Sequence, residues 1–112
     1  MHVRLIIPCK ADTDRNPQDW TFGQTVQAYG PQIADIAGGF TATQGTGGWK
    51  DQNGELVVEP IAVFDCNVEP VNGSHYVRIA AFYRLAERIA RELSQDCVYL
   101  AFDGEVEFVK PE

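Results

Sequence analysis

The chain has 112 residues, 45% of them hydrophobic, and a formal net charge of −7. That length and apolar content fit one domain spanning 1–112 with a buried core, and they exclude wholesale disorder. The acidic balance argues against a nucleic-acid backbone as partner, and no apolar run approaches the roughly 18 residues of a membrane span.

Along the chain, "MHVRLIIPCK" has too short an apolar run for a signal peptide, and the chain reads as cytosolic. Residues 3–9, "VRLIIPC", are β-branched and apolar and predict a strand that stops near Pro8 or lies at an edge. Residues 10–20, "KADTDRNPQDW", are polar and turn-rich and predict a loop. Thr21 followed by Gln24 is a capping-box pattern, and Phe22, Val26, Tyr29, Ile33 and Ile36 recur on one helical face. Gly30-Pro31 predicts a kink or restart in that helix, and Gly38-Gly39 its end.

"FTATQ" and "GELVVEPIAVFDC" then predict two strands, joined through the Asn-Gly pair of "KDQNG". Ser74 offers an N-cap for a second helix with Phe82, Leu85, Ala86, Ile89 and Leu93 as its apolar stripe. Arg84, Glu87, Arg88, Arg91 and Glu92 face water, with Glu87 four residues before Arg91. "CVYLAF" and "EVEFV" are strands joined by Asp103-Gly104. The order predicts an α+β, ferredoxin-like β-α-β-β-α-β sheet with a short extra C-terminal strand. Two helices cover one face of such a sheet, so the other is solvated or meets another subunit.

The chemistry-bearing residues are few. "GTGG" is not a phosphate loop, because its glycines precede a tryptophan rather than a helix start with Lys and Ser or Thr. These glycines either serve turns and bulges or let a ligand or neighbouring backbone come close. His2 and His75 have no partner at a metal-ligand spacing, so no metal is expected, and no nucleophile-base set is suggested. The three cysteines are an odd number without a C-x-x-C pair; two lie in apolar strand-like runs, as buried small hydrophobes do.

Glu59 is the exception. Period-two alternation puts it in a row with Val57, Ile61 and Val63, where a carboxylate needs a partner, a strand end or a ligand. Trp49 either caps the sheet as core or stacks on a planar ring. Glu105 and Glu107 share one face of the last strand and read as its solvent side, as Arg84, Arg88 and Arg91 do for the helix.

The stretch "GGFTATQGTGGW", the strand glutamate of "ELVVEP", and the helix ending in "RELSQDCVYLAF" together resemble the phage S-adenosylmethionine lyases, formerly called S-adenosylmethionine hydrolases. The similarity covers residues 38–102, with "QDCVYL" its most specific piece. The resemblance implies a PII-like homotrimer with ligand sites between subunits. It also implies conversion of S-adenosylmethionine to 5′-methylthioadenosine and homoserine lactone, which counters host restriction by depleting the methyl donor. No cofactor is implied. Glu59 would hold the substrate's amino group or ribose, Trp49 would border the adenosine or the tail, and the backbone around Thr46, Gly47 and Gly48 would approach the ligand. Glu55 is a rival to Glu59. The alternatives are a PII-like nucleotide-binding or signalling module without turnover, and a small interaction protein with no ligand.

Overall fold

The computed structural model describes residues 1–11 and 18–112, with the backbone alone at Lys10, Ala11, Gln18 and Asp19. Strand β1 (His2–Pro8) ends at its proline, as expected, but it is a central strand rather than an edge. The next segment departs from the loop expectation. Short strands β2 (Lys10–Ala11) and β3 (Gln18–Asp19) pair antiparallel, and stretch 12–17 of that expected loop lies outside the described residues.

Helix α1 (Phe22–Ala37) starts at the capping box read from the sequence: Gln24 N donates to Thr21 Oγ1 at 3.1 Å, and Thr21 N donates to Gln24 Oε1 at 2.9 Å. It runs as one helix through Gly30-Pro31, so it does not restart there. Pro31 removes the bond to the Gln27 carbonyl, but both residues are exposed, so water can take the missing donor's place. The apolar face, with Tyr29 and Ile33 buried, continues across the break and holds the helix down. Gly38 ends it at φ 86°, donating to Ala34 O at 2.7 Å.

Strand β4 (Thr41–Lys50) is longer than the expected "FTATQ" because Gly45, Gly47 and Gly48 belong to it. None of these three has a positive φ, so they are strand glycines and not turn or bulge glycines. The hairpin to β5 (Leu56–Asn67) closes through Asp51–Glu55, with Gly54 at φ 77° and Asp51 N donating to Glu55 O at 2.9 Å. This is a three-residue loop ending in a left-handed glycine.

Helix α2 (Tyr76–Glu92) buries Phe82, Leu85, Ala86 and Ile89 of its expected stripe, and the fifth, Leu93, is buried at the C-cap. Its cap position is His75 and not Ser74, although Ser74 Oγ still accepts from Tyr76 N at 3.2 Å. Among the described residues the ion pair within α2 is Arg88–Glu92 at 3.4 Å, one step on from the expected Glu87–Arg91. Strands β6 (Val98–Phe102) and β7 (Glu105–Val109) meet at Asp103-Gly104, both at positive φ, as a two-residue type I′ turn requires.

The main sheet has the order β4-β5-β1-β6-β7, antiparallel throughout. Each helix connects two strands that flank a third, which is the ferredoxin-like arrangement, with β7 added at the edge. Val3, Leu5, Ile7, Ala62, Phe64, Cys66, Val98 and Leu100 form one core with Tyr29 and Ile33 of α1 and Phe82 and Ile89 of α2. By alternation, Ile6, Ile61, Val63, Tyr99, Val106 and Phe108 occupy the opposite face, which no helix among the described residues covers. Phe108 is 65% exposed there.

Candidate functional site

Strand β5 outruns β1. The residues Leu56–Pro60 continue beyond the Pro8–Ile61 pair, supported by β4 on one side. Where β1 runs out, a cleft of about 330 Å³ opens, lined by Trp49, Glu59, Ser94, Gln95, Asp96 and Cys97. Its volume falls within the range of small-molecule sites, roughly 300–1,000 Å³.

One wall comes from the β4–β5 ladder. Glu59 pairs in register with Gly47, and Trp49 with Val57, so Trp49, Gly47 and Glu59 all project from the face without helices. The glycines leave bare backbone beside Glu59. A Cβ on Gly47 would lie 3.1 Å from Ile61 Cγ2, and one on Gly45 3.3 Å from Ile61 Cγ1, so Ile61 leans across this strip and fixes its floor.

The facing wall is the turn that ends α2. Ser94 N donates to Arg91 O at 3.2 Å and Gln95 N to Ala90 O at 2.8 Å, the paired bonds of a Schellman cap. Such a cap normally recruits glycine, yet Ser94 holds φ 52°. A left-handed serine costs roughly 1–2 kcal/mol, and it sits at the lip of the cleft. Gln95 Nε2 donates to Leu93 O at 3.1 Å, which fixes that side chain, and Asp96 and Cys97 follow on the way into β6. Two carboxylate residues, Glu59 and Asp96, line the cleft, and Trp49, 47% exposed, offers a ring face for a planar or cationic group.

Of the residues singled out in the sequence, the structure brings Trp49, Gly47 and Glu59 together. Thr46 and Gly48 belong to the other side of the strand. Glu55 lies in the hairpin loop, its N–H donating to Asp51 Oδ1 at 3.0 Å, and does not line the cleft. Reasoning from residue types missed Ser94, Gln95, Asp96 and Cys97. The signal was present in "QDCVYL", but its position opposite Glu59 follows from β5 and β6 flanking β1, which no local pattern encodes.

The whole chain resembles solved structures in its fold. It is similar to a phage SAM lyase in complex with S-methyl-5′-thioadenosine, with a TM-score of 0.69 over 99% of this chain and 89% of that one, at 14% identity. It is likewise similar to a phage SAM lyase in the apo state, at a TM-score of 0.65 and 15% identity over the same coverage. The chain shares its fold with phage SAM lyases. No protein-family model and no curated protein matches the sequence.

Proposed function

We propose that the protein is an S-adenosylmethionine lyase that forms 5′-methylthioadenosine and homoserine lactone. One observation carries the reading: in a chain with this fold, the aromatic Trp49, the strand glutamate Glu59 and the "QDC" segment meet in one cleft of ligand size. The likeness to a phage SAM lyase holding S-methyl-5′-thioadenosine supports the nucleoside class.

The chemistry asks little of the protein. An oxygen of the substrate's own carboxylate attacks its γ-carbon, the lactone C–O bond forms as the Cγ–S bond breaks, and the electron pair leaves on sulfur. A sulfonium becomes a neutral thioether, and no proton moves. Holding the methionine tail in the folded, reactive conformer contributes on the order of several kcal/mol. Sulfonium and carboxylate charges cancel as the bond forms, so a drier cleft favours the transition state. A carboxylate pressed on the sulfonium would favour the ground state instead. Glu59 therefore binds the ammonium or ribose hydroxyls, Trp49 borders the adenosine, and the bare Gly47 backbone admits the ligand.

We further infer a homotrimer closed through the helix-free face of the sheet, with the cleft completed by a neighbouring subunit. The three-residue loop closed by Asp51 and Glu55 is short for the signalling loop of a PII-type sensor, which favours turnover over sensing.

Incubation with S-adenosylmethionine followed by chromatography for 5′-methylthioadenosine tests the reading. Wild-type turnover that Glu59→Gln abolishes, with the oligomer intact, supports it. Binding without turnover replaces it with the sensor reading, and no binding with the scaffold reading. Full turnover by Glu59→Gln would leave the activity standing and remove Glu59 from it.

A further inference from the structure

A second concavity lies between α1 and α2. It measures about 450 Å³ and takes Gln32, Asp35 and Ile36 from α1, Arg84, Arg88 and Arg91 from α2, and Glu112 from the segment after β7. In a chain of net charge −7 with nine Lys and Arg, four of those cations (Arg78, Arg84, Arg88 and Arg91) stand on α2. Three of them enter this groove. Spacings of four and three residues align them on one helical face, with steps of about 6 and 4.5 Å along the axis.

Their hydrogen-bonding capacity is largely unspent. Arg84 has no hydrogen bond or ion pair among the described residues. Arg88 Nε lies 3.4 Å from Glu92 Oε1, and Arg91 Nη1 lies 3.9 Å from Glu112 Oε2, both longer than a formed hydrogen bond. A planar guanidinium with five donors matches carboxylates well.

We propose that this groove is a docking surface for an acidic peptide segment of a partner protein, its carboxylates held by Arg84, Arg88 and Arg91. Three observations favour a peptide over a compact anion. A peptide carboxylate, that of Glu112, already reaches toward Arg91. The groove also carries apolar surface from Ile36 and Ala81, which a side-chain stem covers and a phosphate does not. Finally, same-face residues of an extended chain recur about every 6.5–7 Å, close to the longer arginine step. The resident Asp35 and Glu112 disfavour a continuous polyphosphate while leaving places for separated carboxylates.

The test uses the full chain and a fluorescently labelled hexaglutamate peptide, followed by anisotropy at low ionic strength. Binding should weaken as salt is raised. The triple substitution Arg84→Gln, Arg88→Gln and Arg91→Gln should weaken it about tenfold or more, with circular dichroism and thermal melting as in the wild type. Glu112→Gln should tighten it about twofold by removing the competing carboxylate. Equal binding by the wild type and the triple variant overturns the proposal. So does pyrophosphate displacing the peptide at lower concentration than unlabelled hexaglutamate does, which would mark a small-anion site.

Discussion

Cys97 and Cys66 show how residues of one type diverge by position. Cys97 is exposed at the cleft, whereas Cys9 and Cys66 are buried on the core side of the sheet. Burial, with the Asp65 charge adding to it, pushes the Cys66 thiol up to about 11, so little thiolate forms at neutral pH. Iodoacetamide should therefore add one adduct to the native protein, at Cys97, and three after denaturation, read by intact mass. Under the lyase reading, 5′-methylthioadenosine should protect Cys97. The helix-free face carries a second residue-scale test. Arg4 Nε donates to Asp65 Oδ1 at 2.8 Å and Arg4 Nη2 to Oδ2 at 3.3 Å, while His2 Nε2 lies 2.9 Å from Oδ1. The hydrogen bond from Arg4 holds the Asp65 carboxyl below its ordinary value, against the opposing effect of burial. A carboxyl depressed in the folded state contributes stability that is complete above its unfolded pKa, about 3.9, and is lost as pH falls through the lower folded value. Urea midpoints of the wild type and Asp65→Asn should therefore differ at pH 6 and converge as the pH drops below about 3.9. A gap that stays constant down to pH 2 would show that the pairing does not depend on the ionised carboxylate.

The helices and hairpins were largely legible because their signals are local: the Thr21–Gln24 box, the Phe82-to-Leu93 stripe and the Asp103-Gly104 turn each lie within a few residues. What failed was any feature decided by tertiary context. Pro31 did not interrupt α1 because the lost bond falls on the wet side while the buried side continues. The glycines of "GTGG" fitted either turns or a close approach because nothing in the sequence shows that Ile61 leans over Gly45 and Gly47 from β5. Half of the cleft was visible as Trp49 and Glu59; the other half, Ser94 to Cys97, depended on the crossing order of strands. Gly30 shows the same conflict with magnitudes attached. On helix propensity, Gly30→Ala should stabilise by about 0.5–1 kcal/mol. Yet the added Cβ would lie 2.8 Å from Phe40 Cζ and 3.2 Å from Cε1, and Phe40 is itself wedged edge-on against Phe64 at a centroid distance of 5.3 Å. Overpacking of this kind costs roughly 1–3 kcal/mol, so it outweighs the propensity gain. Gly30→Ala should lower the melting temperature, and adding Phe40→Leu should recover part of the loss. A stabilised single variant would mean that the Phe40 ring swings away at little cost.

At the scale of the whole molecule, the question is what covers the second face of the sheet. Ile6, Ile61, Val63, Tyr99, Val106 and Phe108 form an apolar field, with Tyr99 and Phe108 edge-to-face at 6.0 Å. Val106 and Phe108 are exposed and the other four are half-buried, and a contiguous apolar field of this kind marks an association site more often than a bare surface. Closed rotational symmetry lets one patch serve every copy. If the proposed trimer forms here, light scattering should give a mass three times the 12.4 kDa of one chain. Val63→Asp separates association from folding. Its side chain lies on the helix-free face and is not part of the core shared with α1 and α2. The substitution should therefore leave a folded monomer with helical circular dichroism intact. In an interface it would bury an unpaired carboxylate in every subunit, a penalty of several kcal/mol that is enough to shift assembly from complete to negligible at micromolar concentration. Under the lyase reading, that monomer should also lose turnover, since its cleft keeps Trp49 and Glu59 but not the neighbour that completes it. A folded Val63→Asp monomer with wild-type turnover would confine the site to one chain. A wild-type protein that is monomeric at all concentrations would leave the apolar face to some other partner.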